Sequence, residues 1–173
     1  VVVRLCSYHT AGAYPLDHDR NSEFRESVVG WSRIAPRLLT WNYYTNFPDQ
    51  YLPHPNIPTM APNLRFLIEH NTVGTFEQSS NRSAIAEFSK LKYWLQAHLM
   101  WDPSRDTDAL VTDFCNGYYG AAGPHLKKYL DMAYSEVLKS GIPLTCGNSD
   151  LSFITRDFME QGEAHFDAAE AAV

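Results

Sequence analysis

Cysteine is scarce in this chain of 173 residues, which contains three. Cys6, Cys115 and Cys146 include no close pair and none of the short spacings that are typical of zinc sites. The pattern therefore predicts three small buried side chains, with a Cys115–Cys146 disulfide as the less favoured alternative. The Asp-His-Asp run at residues 17–19 is more typical of a solvated loop than of a metal site, so no metal is predicted.

Basic residues and long apolar runs are also in short supply. The 14 Lys and Arg residues are outnumbered by 20 Asp and Glu residues, which gives a formal net charge of -6. No basic cluster is present that could neutralise a run of phosphates, so a nucleic-acid partner is not expected. No uninterrupted apolar segment reaches the roughly 18 residues of a membrane span. The sequence begins inside a predicted strand and ends inside a predicted helix, and we therefore expect a fragment.

The familiar cofactor motifs are missing as well. There is no phosphate-binding loop, no dinucleotide-type glycine pattern between a strand and a helix, no nucleophile elbow and no Cys-x-x-Cys pair. We therefore predict no cofactor.

What is present is an alternation of strand and helix patterns in the first 103 residues. Short apolar and β-branched segments predict strands at residues 1–8, 38–47 and 72–78. Amphipathic spacing predicts helices at about residues 22–35, 63–70 and 81–102. Strands separated by helices of this length are expected to be parallel, with right-handed crossovers, as in an α/β sheet or a (β/α) barrel.

Only helical patterns follow Pro103. Asp106 is a predicted helix cap, a second helix is predicted from Pro124 to a cap at Gly141, and a third from about residue 150 to 172. The sequence therefore predicts two parts, an α/β part at residues 1–103 and an all-helical part at residues 104–173.

Polar and aromatic residues coincide with the carboxyl ends of all three predicted strands, where α/β folds bind ligands. They are Tyr8, His9, Trp41, Asn42, Tyr43, Tyr44, Glu77 and Gln78. Aromatic rings can stack on the apolar faces of a sugar while amide and carboxylate groups bind its hydroxyls, so this set predicts a carbohydrate-binding site. The alternative is that these side chains only pack the core, with their polar atoms satisfied.

Strand alternation divides the residues of the second strand between two faces. Asn42 and Tyr44 share one face, and Trp41 and Tyr43 share the other. Because apolar residues normally face the helices, we expect Asn42 and Tyr44 to point away from them. At the end of a strand this rule weakens, so all four residues remain candidates for the site. Glycoside hydrolysis needs two carboxyl groups, or one together with a substrate acetamide. Glu77 is the one carboxylate at a predicted strand end, so a complete catalytic pair is not visible unless the loop residues Asp17, Asp19 or Asp49 fold over the strand ends.

Several short motifs follow one another within about residues 1–135. They are Gly30-Trp31, Trp41-Asn42-Tyr43, Thr45-Asn46-Phe47, Tyr51-Leu52, Pro55-Asn56, Pro62-Asn63, Arg65-Phe66, Gly74, Phe76-Glu77-Gln78, Met100-Trp101-Asp102-Pro103 and Tyr118-Tyr119-Gly120. With these motifs the chain resembles the DUF4838 family, which includes glycoside hydrolase family 163. The characterised activity of family 163 is that of an endo-β-N-acetylglucosaminidase acting on complex N-glycans.

This resemblance implies that residues 1–103 are the last three β/α units of a (β/α)8 TIM-type barrel. It also implies retaining, substrate-assisted hydrolysis of glycans that contain N-acetylglucosamine, with the general acid upstream of Val1. Tyr43 or Tyr44 would contact the acetamide, Trp41 would form a wall and Glu77 would bind sugar hydroxyls. The expected partner is a glycan or glycoprotein, and the expected location is secreted, periplasmic or on the outer surface of a bacterium.

One residue departs from the family pattern, because Asn42 stands where that pattern has Asp. Two alternatives therefore remain open. Beside the expected hydrolysis of glycans that contain N-acetylglucosamine, they are a carbohydrate-binding barrel remnant that has lost catalysis, and a barrel glycosidase of other specificity, such as uronic acid release.

Overall fold

The computed structural model describes residues 2–80, 86–147 and 150–173. Within that part of the chain, three strands alternate with helices and are followed by a helical region. The strands are β1 (Val3–Cys6), β2 (Leu38–Tyr43) and β3 (Thr72–Gln78). The α-helices are α1 (Ser22–Ile34), α2 (Met60–Glu69), α3 (Ser89–Trp101), α4 (Thr107–Tyr119), α5 (Gly123–Ser140) and α6 (Arg156–Ala171).

The strands form one parallel sheet in the order β1-β2-β3. Leu5 of β1 lies opposite Thr40 of β2, and Trp41 of β2 lies opposite Phe76 of β3. The predicted parallel α/β sheet is therefore confirmed. Its arrangement is consistent with part of a barrel, while closure into eight strands stays a prediction.

Helices cover one face of the sheet and leave the other face open. Leu38, Thr40 and Asn42 alternate as buried residues along β2. Tyr44, next on the same face, shares a core cluster with Leu64 of α2 and Leu95 of α3. This face is therefore the helix-covered one.

The expectation that Asn42 and Tyr44 point away from the helices is wrong. Leu38 and Leu39 are adjacent, so β2 has an apolar residue on each of its faces. The apolar residues of this strand therefore do not indicate which face the helices cover. Trp41 and Tyr43 lie on the open face. Phe76, across from Trp41, is 54% exposed.

Local sequence signals correctly predicted where several strands and helices begin or end. The bounds of β3 are as predicted, Asp106 caps α4 by accepting hydrogen bonds from two backbone amides, and Gly141 ends α5 with a left-handed φ of 72°. Thr155 caps α6, which begins later than the predicted residue 150.

Two helices differ from the predictions. The predicted start of α3 at residues 81–83 lies outside the described residues, and the helix is described from Ser89. Phe88 has a left-handed φ of 43°, which a continuous right-handed helix cannot contain. In α1, Val28 is buried as expected, but Ile34 and Trp31 of the predicted apolar stripe are exposed.

The helical region folds back onto the carboxyl ends of β1 and β2. The Gly12 amide donates to the Leu144 carbonyl at 3.2 Å, and the Phe47 amide donates to the Cys146 carbonyl at 2.9 Å. One core cluster joins Tyr44 and α2 to Leu110 of α4. This core cluster thus combines residues from both sides of position 103. The division of the chain into residues 1–103 and 104–173 stays a prediction.

The cysteines are all free. Cys115 and Cys146 are buried as predicted, so the alternative of a disulfide between them is not realised. Cys6 is exposed, which corrects the prediction of a buried side chain, because alternation places it on the open face of the sheet.

The uncovered sheet should make the isolated chain self-associate. Among the described residues the outer edges of β1 and β3 have no partner strand, and apolar Val73 and Phe76 are exposed on β3. We expect the sedimentation coefficient to rise with protein concentration, and Phe76→Lys to reduce that rise. Ile34→Lys on exposed α1 is the matched control and should leave it unchanged. A parent chain that stays monomeric at every concentration would contradict this expectation.

Candidate functional site

A continuous row of aromatic rings crosses the open face at the carboxyl end of the sheet. We call it the aromatic wall, and it consists of Tyr8, His9, Trp41, Tyr43, Phe47 and Phe76. The ring centroids of Tyr8 and Tyr43 are 5.6 Å apart, those of Tyr43 and Trp41 are 6.2 Å apart, and those of Trp41 and Phe76 are 5.0 Å apart. His9 contacts Tyr8 and Phe47 contacts Tyr43. The wall therefore joins side chains of β2 and β3 to residues that directly follow β1 and β2.

Hydrogen bonds and close packing fix the rings of the wall in place. The indole Nε1 of Trp41 donates to Oε1 of Gln78 at 2.7 Å, across the β2–β3 pairing. The Cys146 thiol donates to the Tyr8 carbonyl at 3.3 Å. A Cβ atom added to Gly147 would lie 2.9 Å from the Tyr8 hydroxyl, so the loop after α5 packs closely on that ring.

Tyr43 is the phenol at the centre of the wall. Partial burial raises its pKa, and the neighbouring Cys6 and Cys146 add to the effect. A phenol is protonated at neutral pH at its ordinary pKa of about 10, and the raised pKa of Tyr43 keeps it so, with Cys6 as a hydrogen-bonding neighbour of the hydroxyl.

A cluster of polar side chains lies behind the wall, on the helix-covered face. Asn42 Nδ2 donates to Glu77 Oε1 at 2.8 Å and to Thr75 Oγ1 at 3.2 Å. Thr40 donates to Thr75 at 3.0 Å, and the Thr75 hydroxyl also bonds Glu77. These four residues and Tyr44 form what we call the buried polar cluster.

Burial dominates the electrostatics of this cluster. It raises the pKa of Glu77, while the hydrogen bonds from Thr75 and Asn42 oppose the increase, and the nearby Tyr44 hydroxyl acts in the same direction without reaching hydrogen-bond geometry. Burial also raises the pKa of Tyr44 well above its usual range, and the nearby Glu77 charge adds to it. Asn42 Oδ1, the Tyr44 hydroxyl and Glu77 Oε2 are buried without a partner at hydrogen-bond geometry among the described residues.

The eight predicted site residues therefore divide into two groups. Tyr8, His9, Trp41, Tyr43 and Gln78 form or adjoin the aromatic wall. Asn42, Tyr44 and Glu77 belong to the buried polar cluster behind it. The predicted role of all eight in binding a substrate stays a prediction.

Sequence reasoning missed a buried ion pair near the same end of the sheet. Lys92 of α3 is 3% exposed, and its ammonium group bonds the Glu87 carboxylate and the His54 carbonyl, the latter at 2.8 Å. The Glu87 amide donates to the Gln50 carbonyl at 3.0 Å. Burial, followed by the Lys92 charge, holds the pKa of His54 well below its usual range. We call this the loop clamp, because it ties the loop after β2 to the turn before α3.

Neither a metal cluster nor a membrane helix is found in the described ranges. No three His, Cys, Asp or Glu side chains there are grouped closely enough to hold a metal ion. No helix in the same ranges combines the length and the apolar character that a bilayer crossing requires.

A family model described as "Domain of unknown function (DUF4838)" matches residues 1–131. The match includes the whole sheet and the aromatic wall. No curated protein and no solved structure matches the chain.

Proposed function

We propose that this chain, which belongs to the DUF4838 family, supplies the substrate-binding wall of a glycoside hydrolase acting on N-acetylglucosamine-containing glycans. The proposed activity is that of an endo-β-N-acetylglucosaminidase. The aromatic wall is the observation that carries the proposal. Its rings lie at the carboxyl ends of parallel strands, which is where ligands bind in α/β folds.

The chemistry of the wall suits a sugar. A pyranose has apolar C–H faces that pack against aromatic rings, and its hydroxyl groups require donors and acceptors at the edges of those rings. Trp41 and Tyr43 stack on one another with ring planes 25° apart and offer such a surface. Gln78, bonded to the Trp41 indole, and the Tyr43 phenol supply the polar groups.

We further propose retaining, substrate-assisted hydrolysis, in which the acetamide oxygen of the substrate attacks the anomeric carbon. Tyr43 is the residue of this chain that would donate a hydrogen bond to the acetamide, because its phenol is protonated and lies in the wall. Glu77 would act from behind, because its hydrogen bond from Asn42 fixes the ends of β3 and β2, and Tyr44 would add core packing there. The general acid would come from residues beyond this chain, in a closed (β/α)8 barrel.

Hydrolysis of an N-glycoprotein tests this proposal directly. The longest natural chain that contains this sequence should release the glycan, and Trp41→Ala should lower kcat/KM about tenfold or more, since one aromatic contact contributes about 1.5 kcal/mol. Trp31→Ala is the matched control, because Trp31 is 41% exposed on α1 and lies outside the wall. No release by the parent protein would contradict the enzymatic part of the proposal.

A non-catalytic carbohydrate-binding protein is the second candidate. One observation supports this second candidate. No carboxylate of the described residues belongs to the wall, and Glu77 is bonded to Asn42 behind it. In the same assay this candidate predicts retention of the glycoprotein without release of its glycan. The proposed site of action, on secreted or surface glycans outside a bacterial cell, applies to both candidates.

A further inference from the structure

A large cleft lies apart from the aromatic wall and shares no residue with it. It has a volume of about 950 Å³ and is bounded by the loop after β2, the turn before α3, and helices α4 to α6. This size is within the range of about 300–1,000 Å³ that is typical of small-molecule sites.

Several aromatic rings line this cleft. Phe88 stacks on Tyr129 with centroids 5.9 Å apart, and Tyr129 contacts Phe166 at 4.8 Å. Tyr51 and Tyr118 also line the cleft, and they are 62% and 59% exposed. The interior rings are thus fixed by packing, while two tyrosines at the opening stay exposed to solvent.

Three polar groups converge among these rings. The phenols of Tyr119 and Tyr129 and the carboxylate of Glu87 all line the cleft. Burial raises the pKa of Tyr119 and of Tyr129 to about 12, and the Glu87 charge adds to both increases. Both phenols are therefore neutral hydrogen-bonding groups, and the influence of the Glu87 charge on both places that carboxylate in their neighbourhood.

The charges of the cleft are largely compensated. Glu87 is paired with Lys92, and Glu160 is paired with Arg156 at 2.7 Å. Most of the carboxylate charge is therefore neutralised before any ligand binds. This favours a neutral ligand over an organic cation, although aromatic rings alone would suit either.

The geometry points to this cleft as a second carbohydrate site, which takes one or two neutral sugar residues independently of the aromatic wall. Their C–H faces pack on Tyr51 and Tyr118 at the opening. Their hydroxyl groups bond Glu87 and the phenols of Tyr119 and Tyr129 inside.

Calorimetric titration of the chain with N,N′-diacetylchitobiose, and in parallel with N-acetyllactosamine, tests the inference. We expect the double variant Tyr51→Ala/Tyr118→Ala to lose binding about tenfold or more for at least one of these sugars, since both exposed stacking surfaces at the opening are removed. Both residues are exposed, so the variant should fold, which the unchanged circular dichroism would show. Trp101→Ala is the control for loss of an exposed ring elsewhere.

The outcomes separate this site from the wall. Loss of binding in the double variant, with binding retained in Trp41→Ala, supports the cleft even if the wall binds nothing. Binding of both sugars that is unchanged in the double variant overturns the inference. Binding of choline in the cleft, abolished by the same double variant while neither sugar binds there, also overturns it.

Discussion

Asn42→Asp should make the stability of the chain fall steeply as the pH rises. In the parent, Asn42 Nδ2 donates to Glu77 Oε1 at 2.8 Å inside the buried polar cluster. Aspartate would replace this donor by a carboxylate oxygen, so two carboxyl groups would face each other at that distance. Both cannot be ionised there, because like charges at close range disfavour each other and burial already raises the pKa of Glu77.

The direction of the pH dependence follows from where the protons bind. The folded variant retains a proton that the unfolded chain releases near pH 4, so the folded pKa of the pair is raised. The stabilisation that comes from this bound proton is therefore fully present below the pKa of the unfolded carboxyl groups. It is lost as the pH rises through the pKa of the folded pair. In that window the free energy of unfolding should fall by about 1.4 kcal/mol per pH unit, relative to the parent.

Urea unfolding measured at intervals from pH 4, near the pKa of an unfolded carboxyl group, up to pH 8 measures this effect. Asn116→Asp, at an exposed position of α4, is the matched control and should show no such slope. The double variant Asn42→Asp/Glu77→Gln should remove most of it, because only one carboxyl group remains. A slope for Asn42→Asp equal to that of Asn116→Asp would show that residue 42 does not face Glu77 in the folded chain.

Lys92→Met should destabilise the chain by about 3–5 kcal/mol, because it leaves the Glu87 carboxylate buried and unpaired. Methionine fills a similar volume, so the loss comes from the uncompensated charge and not from a cavity. Replacing both partners, in Lys92→Met/Glu87→Gln, should recover most of the stability, since neither residue then carries a charge.

Lys127→Met is the matched control for this experiment. Lys127 pairs with Asp108 and Asp131, whose side chains are exposed, so its loss should cost less than about 1 kcal/mol. The free energy of unfolding from urea titration gives the comparison. If Lys92→Met cost no more than Lys127→Met, the loop clamp would be solvated and would not hold the two loops together.

The sequence predicted best what local chemistry determines. The β-branched run and its polar flanks set the bounds of β3, and the carboxylate of Asp106 caps α4 through the amides of the next turn. Gly141 ends α5 because glycine adopts its left-handed conformation without strain.

Features that depend on distant contacts could not be predicted. Alternation divided Trp41 and Asn42 between two faces, but only the position of the helices determines which face is covered. The burial of Lys92 depends on the carbonyl of His54, which is 38 residues away in the chain. Its sequence context, beside an apolar stripe in α3, gave no signal of a buried charge.

The sequence predicted which polar and aromatic residues lie near the strand ends, but not on which face of the sheet each one lies. The strand ends identified all eight residues because parallel strands bring their carboxyl ends to one edge. Whether each residue forms part of the wall or of the cluster behind it depends on the face, which the alternation left open. Phe47 and Phe76, which complete the wall, came from the same segments but are apolar and gave no signal of a site.

The Trp41 indole N–H resonance, followed by NMR during titration with N,N′-diacetylchitobiose, tests the central claim most directly. This N–H group is bonded to Gln78 in the aromatic wall, whereas Trp31 is partly exposed on α1. We predict that the Trp41 signal shifts in a saturable manner while the Trp31 signal stays in place. A Trp41 signal that does not move at saturating sugar would contradict the assignment of the open sheet face as a carbohydrate-binding surface.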